Sequence, residues 1–194
     1  MKVLLGISGS SSVNLGLKLL KNLENQCELY CILTQGAKLS FKTENQANLE
    51  EICQENFKYT YFLDDKNLSL SVASGSFGIE KTIIAPCSIS SLAKIHAGFA
   101  DTLLMRAAAV ALKERKKLIL GVREMPFSTL NLEHMLKLSQ MGVIIAPPII
   151  ASYSKANNLE QMENFIAGKW LDLLEIKHNL YEKWQNFSLN LLYF

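Results

Sequence analysis

At 194 residues, with 49% hydrophobic and 20% charged side chains, the chain can bury a sizeable core in one domain, which excludes an intrinsically disordered segment. Twenty Lys and Arg against 18 Asp and Glu leave a net charge of +2, too little for a nucleic-acid or membrane-surface binder, so an anionic ligand must be met by a local cluster. The four cysteines (Cys27, Cys31, Cys53, Cys87) lack both CxxC spacing and the density of a disulfide scaffold, and read as reduced thiols of a cytoplasmic protein.

Near-continuous apolar runs at about 2–6, 28–33, 81–85, 117–122 and 143–146 predict parallel strands buried on both faces. Helical periodicity between them predicts helices near 13–25, 36–54, 90–96, 100–116, 131–141 and 159–175. Ser10 to Ser12 offer N-cap oxygens to the first. The alternation defines an α/β fold: one doubly wound, mainly parallel sheet with helices on both faces, Rossmann- or flavodoxin-like, over residues 1–185. The ligand site of such a sheet lies outside the carboxyl ends of its strands, which gathers Gly9 to Ser12, Thr34, Ser88 to Ser91 and Arg123 on one edge. Residues 186–194, ending Leu191-Leu192-Tyr193-Phe194, form an apolar tail expected to pack on a neighbouring subunit or on its own domain. The run Val3–Ile7 is too short for a signal peptide, and no later run reaches the ~18 apolar residues of a membrane span, so a soluble protein is expected.

The first loop, Gly6-Ile7-Ser8-Gly9-Ser10-Ser11-Ser12, fits neither GxGxxG nor GxxxxGK[ST], which counts against NAD and nucleoside triphosphates. Its small residues admit a planar or anionic ligand to the backbone amides, or simply form a capped turn. Ser88, Ile89, Ser90 and Ser91 follow Pro86-Cys87 where a helix opens, so their hydroxyls and amides suit a phosphate, an N-cap, or both. Arg106 and Lys113 stand seven residues apart on one helical face, suited to a phosphate or pyrophosphate leaving group; a solvated last turn is the alternative for the Lys113–Lys117 run. Arg123 and Glu124 leave a strand side by side, as ligand groups or as a surface ion pair. His96, His134 and His178 show no metal-ligand spacing, so no metal is expected.

In this order the serine turn, the Arg-Ala-Ala-x-Val-x-Leu-Lys-Glu-Arg helix and Val122-Arg123-Glu124 resemble the UbiX-type flavin prenyltransferases, within the FMN-binding flavoproteins, from Met1 to about Trp184. The resemblance implies transfer of a dimethylallyl group from dimethylallyl phosphate to reduced FMN, yielding the prenylated cofactor of UbiD-type decarboxylases. It sets Gly9, Ser10, Ser11, Thr34, Ser88, Ile89, Ser90, Ser91, Arg106 and Arg123 against FMN, and Lys113, Arg123, Tyr153 and Lys169 against the donor phosphate. Ser11, Glu44 and Glu124 would manage protons. Glu44 alone reads as an exposed helix-end carboxylate. The chain departs from the pattern at Ser12 (usually Gly), Leu15 (often Tyr), Gln35 (Lys), Ala109 (Asp) and Lys169 (Arg). The resemblance further implies a homo-oligomer, a dodecamer, with Tyr153 and Lys169 completing a neighbour's site. Two other readings are an FMN-dependent cysteine decarboxylase and a non-enzymatic FMN carrier. The first is weakened because the first histidine is His96.

Overall fold

The computed structural model describes residues 1–183; the 186–194 tail lies outside them. Six strands, β1 (Lys2–Ile7), β2 (Glu28–Leu33), β3 (Thr60–Leu63), β4 (Lys81–Cys87), β5 (Lys117–Val122) and β6 (Ile144–Ile145), form one parallel sheet in the order β3-β2-β1-β4-β5-β6. The helices are α1 (Val13–Leu23), α2 (Gln35–Asn45), α3 (Leu49–Asn56), α4 (Ile89–His96), α5 (Leu103–Lys113), α6 (Thr129–Gln140) and α7 (Leu159–Leu173). Because successive strand residues face opposite sides, Val3, Leu5 and Ile7 pack with α1 and α7, while Leu4, Ile84, Leu118 and Leu120 pack with α4, α5 and α6. The expected doubly wound α/β architecture is therefore what the chain adopts. Strand order reverses between β1 and β4, so the crevice a doubly wound sheet reserves for ligands opens there.

Several elements differ from the sequence expectation for local reasons. The single helix expected over 36–54 is two: Gln46 adopts a left-handed conformation (φ 53°), and the Asn48 side chain accepts from the N–H groups of Glu50 and Glu51 to start α3 afresh. β3 was not expected, because Thr60-Tyr61-Phe62-Leu63 is a short edge strand with no buried residue. The helix expected over 100–116 begins at Leu103, where Thr102 accepts from Met105 N–H and Asp65 takes the N–H groups of Leu103 and Leu104. It ends at Lys113. The serine caps expected for α1 are absent. Ser12 stands at the N-cap but is left-handed (φ 72°) and offers no side-chain bond; its own N–H donates to Glu44 Oε2 at 3.3 Å. A glycine at this position would adopt that conformation freely, whereas Ser12 bears a Cβ strain on the order of 1 kcal/mol.

No helix among the described residues is long and apolar enough to cross a membrane.

Candidate functional site

Each strand end at the crevice is tied to its neighbour. Ser8, 1% exposed, donates its Oγ to Pro86 O (3.1 Å) and accepts the Ser88 N–H (2.8 Å), while its own N–H donates to Pro86 O (3.1 Å). Thr34 N–H donates to Ile7 O, and Arg123 N–H to Cys87 O. The ends of β2, β1, β4 and β5 are thus held in register, and the loops that follow them start from fixed points. The Ser10 hydroxyl lies between Ser11 O (3.3 Å) and Arg123 O (3.4 Å).

Gly9 meets Gly36 backbone to backbone: a Cβ added at Gly9 would lie 2.6 Å from Gly36 Cα. Two loops can press this closely only if both are bare, and the result is a floor of peptide groups without side chains beside Ser10, Ser11 and Thr34. Thr34 itself caps α2 by accepting from Ala37 N–H (3.2 Å). Ser88 caps α4, accepting from Ser91 N–H and donating to Ser91 Oγ (3.0 Å). The amides of Ile89 and Ser90 belong to the first helical turn, where N–H groups have no intrahelical acceptor, and Ser90 is exposed. A planar heteroaromatic ring lying on the peptide floor with a phosphate at this turn fits the donors present. Cys87 offers no nucleophile: complete burial pushes its thiol up to about 12.

Beside the floor lies an apolar cleft of about 520 Å³ lined by Ser12, Leu15, Val122, Arg123, Glu124 and the 147–150 segment, among others. Arg123 and Glu124 are exposed on its rim; Glu124 Oε1 accepts from Met125 N–H (3.0 Å). A second cleft of about 360 Å³ holds Tyr153, Phe165, Lys169 and Asp172, and shares Pro147, Ile149, Ile150 and Ile166 with the first. Tyr153, in the 3-10 turn Ser152–Ser154, stacks edge-on against Phe165 (centroids 5.6 Å apart).

One chain does not bring every expected residue together. Gly9 to Ser11, Thr34, Ser88 to Ser91, Arg123 and Glu124 share the edge, Glu44 reaches it through Ser12, and Tyr153 and Lys169 stand in the adjoining cleft. Arg106 and Lys113 do not join them. α5 begins at the carboxyl edge beside Asp65 and descends towards the start of β5, so Lys113 sits about 15 Å along the helix from Leu103, at the amino edge. Lys113 pairs there with Glu114, and Arg106 Nε donates to Ala73 O (3.0 Å) in the turn before Ser74-Gly75-Ser76. Sequence reading missed Ser8 altogether; its signal, a serine directly after a buried strand, is faint beside three further serines. No grouping of three or more His, Cys, Asp or Glu among the described residues could hold a metal ion.

Replacing Gly9 with Ala should drive a methyl into the Gly36 backbone, displacing one loop at a cost of about 1–3 kcal/mol. Affinity for the flavin expected from the sequence, measured by fluorescence quenching, should fall about tenfold or more, with the fold retained by circular dichroism.

A doubly wound sheet with a hydroxylated peptide floor, a phosphate-ready helix start and an adjoining apolar cleft is what a flavin-mononucleotide protein requires. The flavoprotein family profile matches residues 1–171. The chain is 99% identical over 187 residues to the flavin prenyltransferase UbiX of Campylobacter jejuni subsp. jejuni serotype O:2, covering 96% of this chain and all of the relative. Two solved structures superpose with TM-scores of 0.89. One is the dodecameric FMN-dependent UbiX-like decarboxylase of Escherichia coli O157:H7, 33% identical over 96% of this chain and all of that one. The other is AnUbiX (PadA1) in complex with FMN and dimethylallyl pyrophosphate, 31% identical over 96% of this chain and 98% of that one. The chain belongs to the flavoprotein family and, within it, to the UbiX flavin prenyltransferases.

Proposed function

We infer that this protein transfers a dimethylallyl group from its phosphate ester to reduced FMN, supplying the prenylated flavin used by UbiD-type decarboxylases. The observation that carries the reading is the junction of the peptide floor at Gly9 and Gly36 with an apolar cleft whose rim bears Arg123 and Glu124. Bound reduced FMN supplies the electron-rich ring edge that accepts the allyl carbon.

The chain's own residues have three tasks. Ser88 and the amides of Ile89 and Ser90 hold the flavin phosphate, with Ser91 fixing the Ser88 hydroxyl. Arg123, Tyr153 and Lys169 hold the donor phosphate, so that when its ester C–O bond breaks the electron pair leaves on a group already neutralised by fixed cations. Ile149, Ile150 and Ile166 give the allyl group an apolar wall to lie against. Ser11, Glu44, which accepts the Ser12 N–H, and Glu124 would take up and return the protons that the prenylation of bound FMN displaces.

Arg106 and Lys113 reach a neighbouring subunit's site in a homo-oligomer of the dodecameric kind reported for the Escherichia coli relative. Support comes from apolar residues exposed on and beside α6: Met125 at 88%, Leu132 at 53% and Leu136 at 56%. Side chains of this kind are covered in a stable assembly.

Incubation with reduced FMN and dimethylallyl phosphate, followed by mass spectrometry of the flavin, should show the added mass of one prenyl unit. Unchanged flavin under anaerobic conditions would overturn the reading in favour of an FMN carrier or a decarboxylase.

A further inference from the structure

After α7 the chain reverses and lays residues 176–183 back along that helix. Asp172 is the anchor. It accepts the Tyr181 hydroxyl, His178 Nε2 at 3.1 Å and Lys183 Nζ at 2.6 Å. His178 Nδ1 accepts the Leu180 N–H (3.2 Å), which orients the ring with Nε2 towards Asp172. Partial burial works against the Asp172 charge, yet its three donors hold the carboxyl below the usual range.

The clasp has a tight seat. Gly168 lets the Tyr181 ring lie directly on the helix, since a Cβ there would come within 2.5 Å of Tyr181 Cδ1. Seated so, Tyr181 meets Phe165 edge-on with centroids 5.0 Å apart, and Phe165 in turn meets Tyr153 edge-on at 5.6 Å. Lys169 Nζ lies 5.9 Å from the Tyr181 ring centre, close enough for the ring face to attract the ammonium. One aromatic side chain therefore bears on both members of the 360 Å³ cleft that the proposed function assigns to the donor phosphate.

We propose that Tyr181, locked by Asp172, is a positioning residue for the donor phosphate: it backs Tyr153 through Phe165 and steers the Lys169 ammonium over its ring. The proposal rests on the donor-site reading above. It also suits a chain that carries Lys where the family generally has Arg. A lone ammonium on a flexible stem has no fork to orient it, and gains more from an external guide than a guanidinium would.

The test is a steady-state comparison of Tyr181→Phe and Asp172→Asn, singly and together, with Lys169→Ala and Tyr153→Phe as references. Tyr181→Phe keeps the ring in its seat and removes only the hydroxyl lock, so misfolding is not expected; Asp172→Asn loosens the same lock from the other side. Each single change should raise the KM for dimethylallyl phosphate about five- to tenfold, as for a hydrogen bond to a charged group. The kcat should change less than about twofold and FMN affinity should be unaltered, a split that a general loss of stability would not produce. Tyr181→Phe should add nothing further on the Asp172→Asn background, where the Tyr181 lock is already loosened, although Asp172→Asn also weakens the His178 and Lys183 bonds. Unchanged KM in the Tyr181 and Asp172 variants, with KM raised in the two references, would overturn the positioning role while leaving the donor site intact. Unchanged KM in the references would overturn the donor-site reading and the positioning role with it.

Discussion

Lys113→Ala and Arg123→Ala protein, each nearly inactive alone, should regain activity when unfolded together and reassembled. Loss of either cation should lower kcat/KM by about 10²–10³, the effect expected when a cation that holds the phosphate, and holds it more strongly as the ester bond breaks, is removed. Within one chain the two residues cannot cooperate, since α5 carries Lys113 to the amino edge while Arg123 leaves β5 at the carboxyl edge. If a neighbour's Lys113 completes the site, random assembly of an equal mixture leaves about a quarter of the sites with both cations intact. Activity near a quarter of the wild-type value, measured as prenylated flavin formed per mole of subunit, is the expected result. Recovery no greater than the sum of the separate variants would show that the two cations do not meet between subunits.

Trp170→Ala should be the most damaging substitution for stability. Trp170 is 1% exposed, donates its indole N–H to Ala146 O (2.9 Å), and fills the space over Gly121, where an added Cβ would lie 2.8 Å from its ring. Truncation removes the ring's burial, leaves a cavity and strands a carbonyl at the foot of the 147–158 segment, together about 3–5 kcal/mol. For a domain of this size the melting temperature should fall by about 10 °C or more, read by calorimetry at fixed subunit concentration. Trp170→Phe should lose less, keeping most of the packing and forfeiting the hydrogen bond. Equal losses for the two variants would assign the stability to the bond.

Much of this architecture is legible in the residues because burial on both faces leaves a plain signal. Leu4, Leu5 and Ile7, Ile83 and Ile84, or Leu118 to Leu120 have no polar alternation, and such runs in a chain of this length mean parallel strands. Thr60–Leu63 escaped because an edge strand has no fully buried face to write into the sequence. The break at Gln46 escaped because neither Gly nor Pro marks it; an Asn cap two residues later and a left-handed glutamine do the work instead. Ser8 is invisible for another reason: its partners, Pro86 and Ser88, are remote in sequence, and only the pairing of β1 with β4 brings them close. The position of Lys113 was available in principle. A seven-residue spacing gives a shared helical face but not an end of the sheet, whereas any helix that feeds a parallel strand must finish at that strand's beginning.

The Ser8 knot has a consequence for turnover. By tying the β1 loop to the end of β4 through three hydrogen bonds it joins the two strand ends into one continuous wall of the crevice. The opposite side is the stretch from Pro147 to Asn158, without regular structure save one short turn and with Ile149 and Ile150 facing water. Any change of shape that admits or releases a ligand therefore falls on that loop rather than on the sheet.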